Sequence, residues 1–294
     1  MPSLAFLLGI TGNLAFAAGN VALSLNRHMQ NGDFDIVIYH RGLNETDRRV
    51  RGEIPRVGLR PFDFPDTFTS VLLERLPAAS RFRDWNSLMC FCHFEAFSLL
   101  KEYSHVVWLD ADIAIQGDIA AITQFAPFGL TPDTPWTVSE NFTHLIDDYR
   151  MELPGYCTAI MALSDRLPHQ ELHSWCYEKA LNYAHLLKNP DQAIINLALQ
   201  EFSITVQTMR CAEWQCVPWR DEALAAKIVH FATDRKVWRD ADLCVAFPEW
   251  YRTHLTWLEL GGGDFDRRHL RLSNGLARIE WANRIGATGT APIG

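Results

Sequence analysis

Short apolar runs alternate with amphipathic stretches along most of this chain, and that alternation constrains the fold more than any single motif. Leu4 to Leu8 has the pattern of a buried strand, and Asn13 is a candidate N-cap for a helix whose apolar side is Leu14, Ala18, Val21, Leu25 and Met29. Phe34 to Tyr39 predicts a second strand, and the polar, Pro-rich stretch 44–80 predicts loop with short elements. Ser87 to Tyr103 predicts a helix running into a buried strand at Val106 to Leu109. Trp136 to Ser139 and Ala159 to Leu163 are further strands. From Pro168 to Leu187 the spacing predicts a helix burying Leu172, Trp175, Cys176, Ala180, Tyr183 and Leu187; a second helix follows Asn189-Pro190-Asp191 and ends near Gln200. Ser203 to Thr208 and Lys227 to Phe231 are late strands. The succession predicts an α/β fold with a mainly parallel or mixed sheet. Residues 261–267 break the pattern, so 1–260 is expected to form one domain and 261–294 a partly loose C-terminal extension.

Composition narrows the function classes. Of 294 residues, 48% are hydrophobic, enough for a large core, and 27 basic against 35 acidic residues give a net charge of −8. An acidic chain without a basic block lacks the footprint of a nucleic-acid binder. It also lacks a polybasic patch for anionic membranes. The seven cysteines are scattered, with no Cys-x-x-Cys, and predict reduced thiols in a cytoplasmic protein. No charged residue occurs from Met1 to Asn26, but no basic segment precedes the apolar run, and Gly9, Thr11-Gly12-Asn13 and Gly19-Asn20 interrupt it. Strand, loop and helix are therefore expected there, with no signal peptide and no membrane span. The sequons at Asn44 and Asn141 are expected to stay unglycosylated.

The densest chemical signal is His105-Val-Val-Trp-Leu-Asp110-Ala111-Asp112. A buried strand runs into two carboxylates at i and i+2, which strand periodicity puts on one side. Ligands of open α/β sheets bind beyond the carboxyl ends of strands. Two such carboxylates repel unless a cation joins them, and Mg²⁺ or Mn²⁺ suits oxygen ligands. A solvated strand end with two surface aspartates is the other reading of this motif alone. Farther on, His230 follows the apolar Ile228-Val229 and offers an imidazole nitrogen to a borderline ion. Lys236 offers a point charge to a phosphate. Asp191-Gln192 opens a helix, where Asp191 also reads as a plain N-cap.

In this order, Trp108-Leu109-Asp110-Ala111-Asp112, Asp191-Gln192 and His230-Phe231…Lys236-Val237-Trp238 resemble glycosyltransferase family 8, the retaining enzymes of GT-A fold. The resemblance covers roughly residues 4–240. It implies a mixed, mainly parallel central sheet with helices on both faces and a hexosyltransferase that takes glucose or galactose from a UDP-sugar. Asp110, Asp112 and His230 would hold Mn²⁺, or Mg²⁺, on the diphosphate, and Lys236 would touch the phosphates. Asp191 would hydrogen-bond the donor sugar, and Gln192 would lie near the anomeric carbon. Ile10, Thr11 and Asn13, at the first strand's end, would meet the nucleoside, and Ala111 would stand with the donor-binding residues. Retention would use a front-face route or a nucleophile; the sequence leaves both open.

Departures from the family pattern concentrate around the donor. Cys157-Thr158-Ala159 replaces Asn-small-Gly and removes an amide that typically meets the donor sugar. Thr11 stands where an acidic residue often reads uracil. His93 takes a usual Arg position. Thr233 and Val237 replace the Gly and Pro of the His motif. These changes keep a second reading open, a catalytically silent nucleotide-sugar binding protein of the same fold. A haloacid-dehalogenase-type phosphatase fits less well, because the Asp-x-Asp motif lies more than 100 residues into the chain with Ala114 where Thr or Val is expected. A glycoside hydrolase needs carboxylates at least about 5 Å apart across a sugar, whereas Asp110 and Asp112 read as a chelating pair. The acceptor is open among glycan, lipid-linked and protein substrates, and the expected location is the cytoplasm or the inner face of its membrane. Trp85, Trp175, Trp250, Tyr251 and Trp257 are expected mainly to pack the core or a lid, with the C-terminal aromatics as a secondary candidate for an acceptor or membrane-proximal surface.

Overall fold

A computed structural model describes residues 3–84, 87–232 and 235–265. The strands are β1 (Leu4–Thr11), β2 (Asp35–Arg41), β3 (Val57–Pro61), β4 (His105–Leu109), β5 (Ile113–Ile115), β6 (Phe128–Thr137), β7 (Pro154–Ser164), β8 (Gln207–Thr208) and β9 (Ile228–His230). The α-helices are α1 (Ala15–His28), α2 (Glu45–Glu53), α3 (Phe68–Arg75), α4 (Glu95–Leu99), α5 (His169–Asn182), α6 (Pro190–Glu201), α7 (Cys211–Trp214), α8 (Ala241–Ala246) and α9 (Pro248–Glu259). Seven strands form one sheet in the order β3-β2-β1-β4-β7-β6-β8, and β5 pairs with β9 in a small second sheet. β1 to β4 of the large sheet run parallel; β7 is antiparallel to both its neighbours, and β8 runs parallel to β6.

The strand period of two explains the layering. Along β1, Phe6, Leu8 and Ile10 face a core shared with α1, α8, α9 and the small sheet. Ala5 and Leu7 face the opposite core, built with α3, α4, α5 and α6. Helices thus cover both faces, and the parallel strands β1 and β4 deliver their carboxyl ends to one edge, at Thr11 and Asp110.

Close packing of α1 on α9 depends on Gly19. A Cβ there would stand 2.4 Å from the Trp257 ring, which is fully buried. Gly19→Ala is expected to cost about 1–3 kcal/mol, read as a fall in Tm of about 2–4 °C per kcal/mol. Gly52→Ala, in α2 with open space around its Cβ position, serves as the control and should leave Tm unchanged or raised.

Several local expectations are corrected. Asn13 does not cap α1; it sits in a 3-10 turn, Gly12–Leu14, and its Oδ1 accepts from the Thr11 hydroxyl. The short elements expected in the stretch 44–80 are α2, β3 and α3. The 87–103 segment begins as a 3-10 helix, Ser87–Phe94, and only Glu95–Leu99 is α-helical. β6 ends at Thr137, and Val138–Asn141 is a 3-10 turn. α5 stops at Asn182, and a separate 3-10 turn, Ala184–Leu186, follows. Of 203–208 only Gln207–Thr208 pairs. Trp250, Tyr251 and Trp257 are all buried, so they offer no acceptor or membrane surface. The chain beyond α9 stays packed through Phe265: Trp257 Nε1 donates to Gly263 O at 2.8 Å, and Gly263 N to Asp47 Oδ1 at 3.0 Å. Trp85, Thr233 and residues 266–294 of the expected extension lie outside the described residues. No helix among the described residues is long and apolar enough to cross a membrane.

Candidate active site

β4 ends at Leu109, and the backbone then carries Asp110 and Asp112 across to the small sheet. Asp110 N donates to Ala159 O at 2.9 Å, which ties this turn to β7. Ile113 pairs with His230, and Phe231 N donates to Asp112 O at 2.9 Å, which brings the end of β9 beside the two aspartates. Ligand atoms of Asp110, Asp112 and His230 lie within 4.8 Å of one another.

The orientation of the carboxylates makes this group suited to a cation. Asp110 Oδ1 accepts from the Trp108 indole at 2.8 Å and lies 3.2 Å from His93 Nε2, while Asp110 Oδ2 faces His230 Nε2 at 3.9 Å. Asp112 Oδ2 is paired with Lys236 Nζ, while Asp112 Oδ1 faces His230 Nε2 at 3.4 Å. Each carboxylate therefore has one oxygen held from behind and one turned toward the same imidazole nitrogen. Held outer atoms and convergent inner atoms are what orients ligands around a metal. Two oxygens and one imidazole nitrogen suit a borderline divalent ion such as Mn²⁺ better than the harder Mg²⁺. Burial opposes ionisation of Asp112, but His230 and Lys236 hold its carboxyl well below the usual carboxylate range. Burial likewise opposes a charged His230, and Asp112 overcomes this and raises its pKa.

His93 links this group to α6. Its Nδ1 lies 2.6 Å from Cys90 O, so Nδ1 carries the proton and Nε2 is turned to Asp110 and, at 3.5 Å, to Asp191. The ring lies against Trp108, with centroids 3.9 Å apart. Burial would lower its pKa, but Asp191 and Asp110 together raise it above the ordinary histidine value. Asp191 is not an N-cap: Asn189 takes that place, and Asp191 Oδ2 accepts from Thr158 Oγ1 at 2.7 Å. Gln192, next along α6, is held by Asp133 and Asn141.

A cavity of about 420 Å³ opens over these residues. Asn13, His93, Asp110, Ala111, Asp112 and Lys236 line it, together with Trp238 and Arg239. Thr11 and Thr158 are buried and do not line it. Ile10 is fully buried in the core, so its side chain does not meet a ligand. Burial pushes the Cys157 thiol up to about 12, which makes it a neutral group rather than a nucleophile. Lys236 is an ion-pair partner of Asp112 and also donates to Phe231 O at 2.9 Å; it is not a solitary phosphate contact. A larger groove of about 700 Å³ lies elsewhere, between α6 and the start of β7, and contains none of these residues.

Sequence reasoning passed over Trp108 as a partner of Asp110, although a strand period of two puts residues 108 and 110 on one side. It also passed over Asp133, Asn141 and Arg239 as parts of the site, which no local pattern marks, and took Trp238 only as the end of the His230 motif.

Comparison with known proteins agrees with this architecture. Residues 6–130 match the family model of glycosyl transferase family 8. The sequence has no significant match among curated proteins. In structure, the chain is similar to the galactosyltransferase LgtC, solved with donor and acceptor sugar analogues: TM-score 0.61, 12% identity, covering 94% of this chain and 99% of that one. It is similar to WbbM, a bifunctional glycosyltransferase, at TM-score 0.63 and 13% identity; the match covers 88% of this chain but only 51% of WbbM. GlyE of Streptococcus pneumoniae TIGR4 aligns at TM-score 0.55 and 11% identity over 88% of this chain and 64% of GlyE. The α/β sheet described above is that of the GT-A fold, and the segment that matches glycosyl transferase family 8, residues 6–130, contains the two aspartates at the end of β4.

Proposed function

We propose that this protein is a divalent-metal-dependent glycosyltransferase that moves a glucose- or galactose-type hexose from UDP to an acceptor with retention at the anomeric carbon. The carrying observation is the convergence of Asp110 Oδ2, Asp112 Oδ1 and His230 Nε2 beside the 420 Å³ cavity. LgtC, solved with sugar analogues, shares the fold and lends support.

Bound there, Mn²⁺ or Mg²⁺ would neutralise charge on the leaving diphosphate. The chain's own residues do the rest. Lys236 adds a cation beside Asp112. His93, with its raised pKa, bridges Asp110 and Asp191 and keeps them from repelling each other. Trp108 fixes the rotation of Asp110. Thr158 holds Asp191 Oδ2, which leaves Oδ1 for a sugar hydroxyl. The Thr11 hydroxyl occupies Asn13 Oδ1, which leaves the Asn13 amide hydrogens for a carbonyl of the base. Gln192 meets the anomeric carbon. The acceptor is a glycan, a lipid-linked glycan or a protein. Seven free thiols accord with a reducing compartment such as the cytoplasm.

Thermal unfolding tests this reading. UDP at 100 times its Kd stabilises by about 2.7 kcal/mol, and the shift is expected only when Mn²⁺ is also present. UDP-glucose and UDP-galactose are then assayed for hydrolysis. A shift without turnover of either sugar nucleotide would favour the silent binding protein suggested by Cys157-Thr158-Ala159. No shift with UDP would overturn the donor assignment.

A further inference from the structure

We propose that Asn141 is a positioning residue that, with Asp133, fixes which way round the Gln192 amide stands. The consequence for turnover rests on the reading of Gln192 given above; the orientation itself does not.

Gln192 Nε2 lies 2.8 Å from Asp133 Oδ2 and 3.1 Å from Asn141 Oδ1. A carboxylate only accepts, so the half of the amide that faces Asp133 has to be the NH₂ group. Both of its hydrogens are used, one on each partner. The carbonyl oxygen is thereby turned away from them, and among the described residues nothing donates to it. Asn141 is itself oriented: Oδ1 also receives Asn189 Nδ2 at 3.1 Å, and Nδ2 turns to Val138 O at 3.4 Å. Its backbone oxygen accepts from Lys188 N at 2.9 Å and Asn189 N at 3.4 Å, so the residue also holds the turn that leads into α6. Asp133 comes from the irregular part of β6, between the pairs Pro132↔Tyr156 and Thr137↔Pro154. Two separate elements thus hold one amide, and Asn141 is only 2% exposed.

The chemical effect is one of sign. A presented carbonyl oxygen favours positive charge developing at an anomeric carbon, whereas a presented NH₂ disfavours it. Losing the clamp should therefore reduce turnover without reducing binding of the nucleotide, whose contacts lie on the other side of His93.

The test compares wild type, Asn141→Leu and Asn141→Asp. In Asn141→Leu, kcat with a UDP-hexose should fall about 10- to 100-fold, while the UDP–Mn²⁺ melting shift and the donor KM stay within about twofold of wild type. Asn141→Asp keeps an acceptor oxygen and should recover most of the rate. A second readout does not use activity: the Gln192 side-chain NH₂ resonances in ¹⁵N-labelled protein, assigned by their loss in Gln192→Ala. They should exchange slowly with solvent in wild type and rapidly in Asn141→Leu. Rapid exchange in wild type overturns the proposal even if the leucine variant does not fold. So does an Asn141→Leu protein with unchanged kcat, or one that loses UDP binding and kcat in parallel. If wild type turns over no UDP-sugar, the functional reading fails while the NH₂ exchange still decides the orientation.

Discussion

Asp112→Asn should abolish the Mn²⁺-dependent part of UDP binding and lower turnover by about 100-fold or more, with little loss of fold. The substitution keeps the shape of the side chain and removes one negative charge from a three-ligand group. It also sets a neutral amide against both Lys236 and His230, which now face Asp112 from two sides. The backbone bond from Phe231 N to Asp112 O, which holds the Asp112 turn to the end of β9, is untouched. The amide oxygen still accepts from Lys236, so stability should change by about 1–2 kcal/mol at most. The check is thermal unfolding with UDP, with and without Mn²⁺, beside a turnover assay. A variant whose Mn²⁺-dependent shift equals that of wild type would remove Asp112 from the metal group.

Why Asp112 was legible in the sequence, while other parts of the molecule were not, follows from the range of the interactions. β1, β4 and β7 are apolar runs buried on both faces, and such runs show locally. The carboxylates at the end of β4 show because a two-residue period aligns them. α2 does not show: in Glu45–Glu53 the sole large apolar residue is Val50. That helix exists because Asn44 caps it, with Oδ1 accepting from Asp47 N at 2.8 Å, and because two of its charged residues, Asp47 and Arg51, are buried against distant chain. Asp47 receives Gly263 N, and Arg51 is fully buried over the Trp257 ring. No window of the sequence contains both partners. The 87–103 segment fails for another reason. Its first half is apolar nearly all round, so its pattern does not separate a 3-10 from an α-helix.

The site divides in the same way. Asp110, Asp112, His230 and Lys236 belong to short motifs, and β5–β9 pairing brings those motifs together. His93 was marked by its place before the Asp-x-Asp strand, but its two carboxylate partners come from β4's end and from α6. Asn13 was assigned to a helix cap on residue type alone; the Thr11 hydroxyl, two residues away, took its oxygen instead. Asp133 and Asn141 have no local signal because their role consists of one shared partner, 59 and 51 residues farther along the chain.

Gln192→Ala should behave as the converse of Asp112→Asn: kcat falls by about 100-fold or more, while the UDP–Mn²⁺ melting shift is retained. Gln192 is held by Asp133 and Asn141 and not by Asp110, Asp112 or His230, so on the proposed reading its removal leaves in place the charges that would hold a diphosphate. On that reading a dipole at the anomeric carbon is lost, and removing an interaction made mainly in the transition state lowers kcat and kcat/KM together. Structural cost is contained. Asn141 Oδ1 keeps Asn189 Nδ2, and the backbone oxygen of Gln192 still accepts from Asn196 Nδ2 at 2.8 Å. Asp133, which is partly buried, and Asn141 each lose one hydrogen bond from the Gln192 NH₂ group, worth about 1 kcal/mol apiece. Steady-state kinetics with a UDP-hexose, read beside the melting shift, separate the cases. Equal losses of binding and turnover would place Gln192 among the nucleotide contacts, and an unchanged kcat would remove it from the reacting centre altogether.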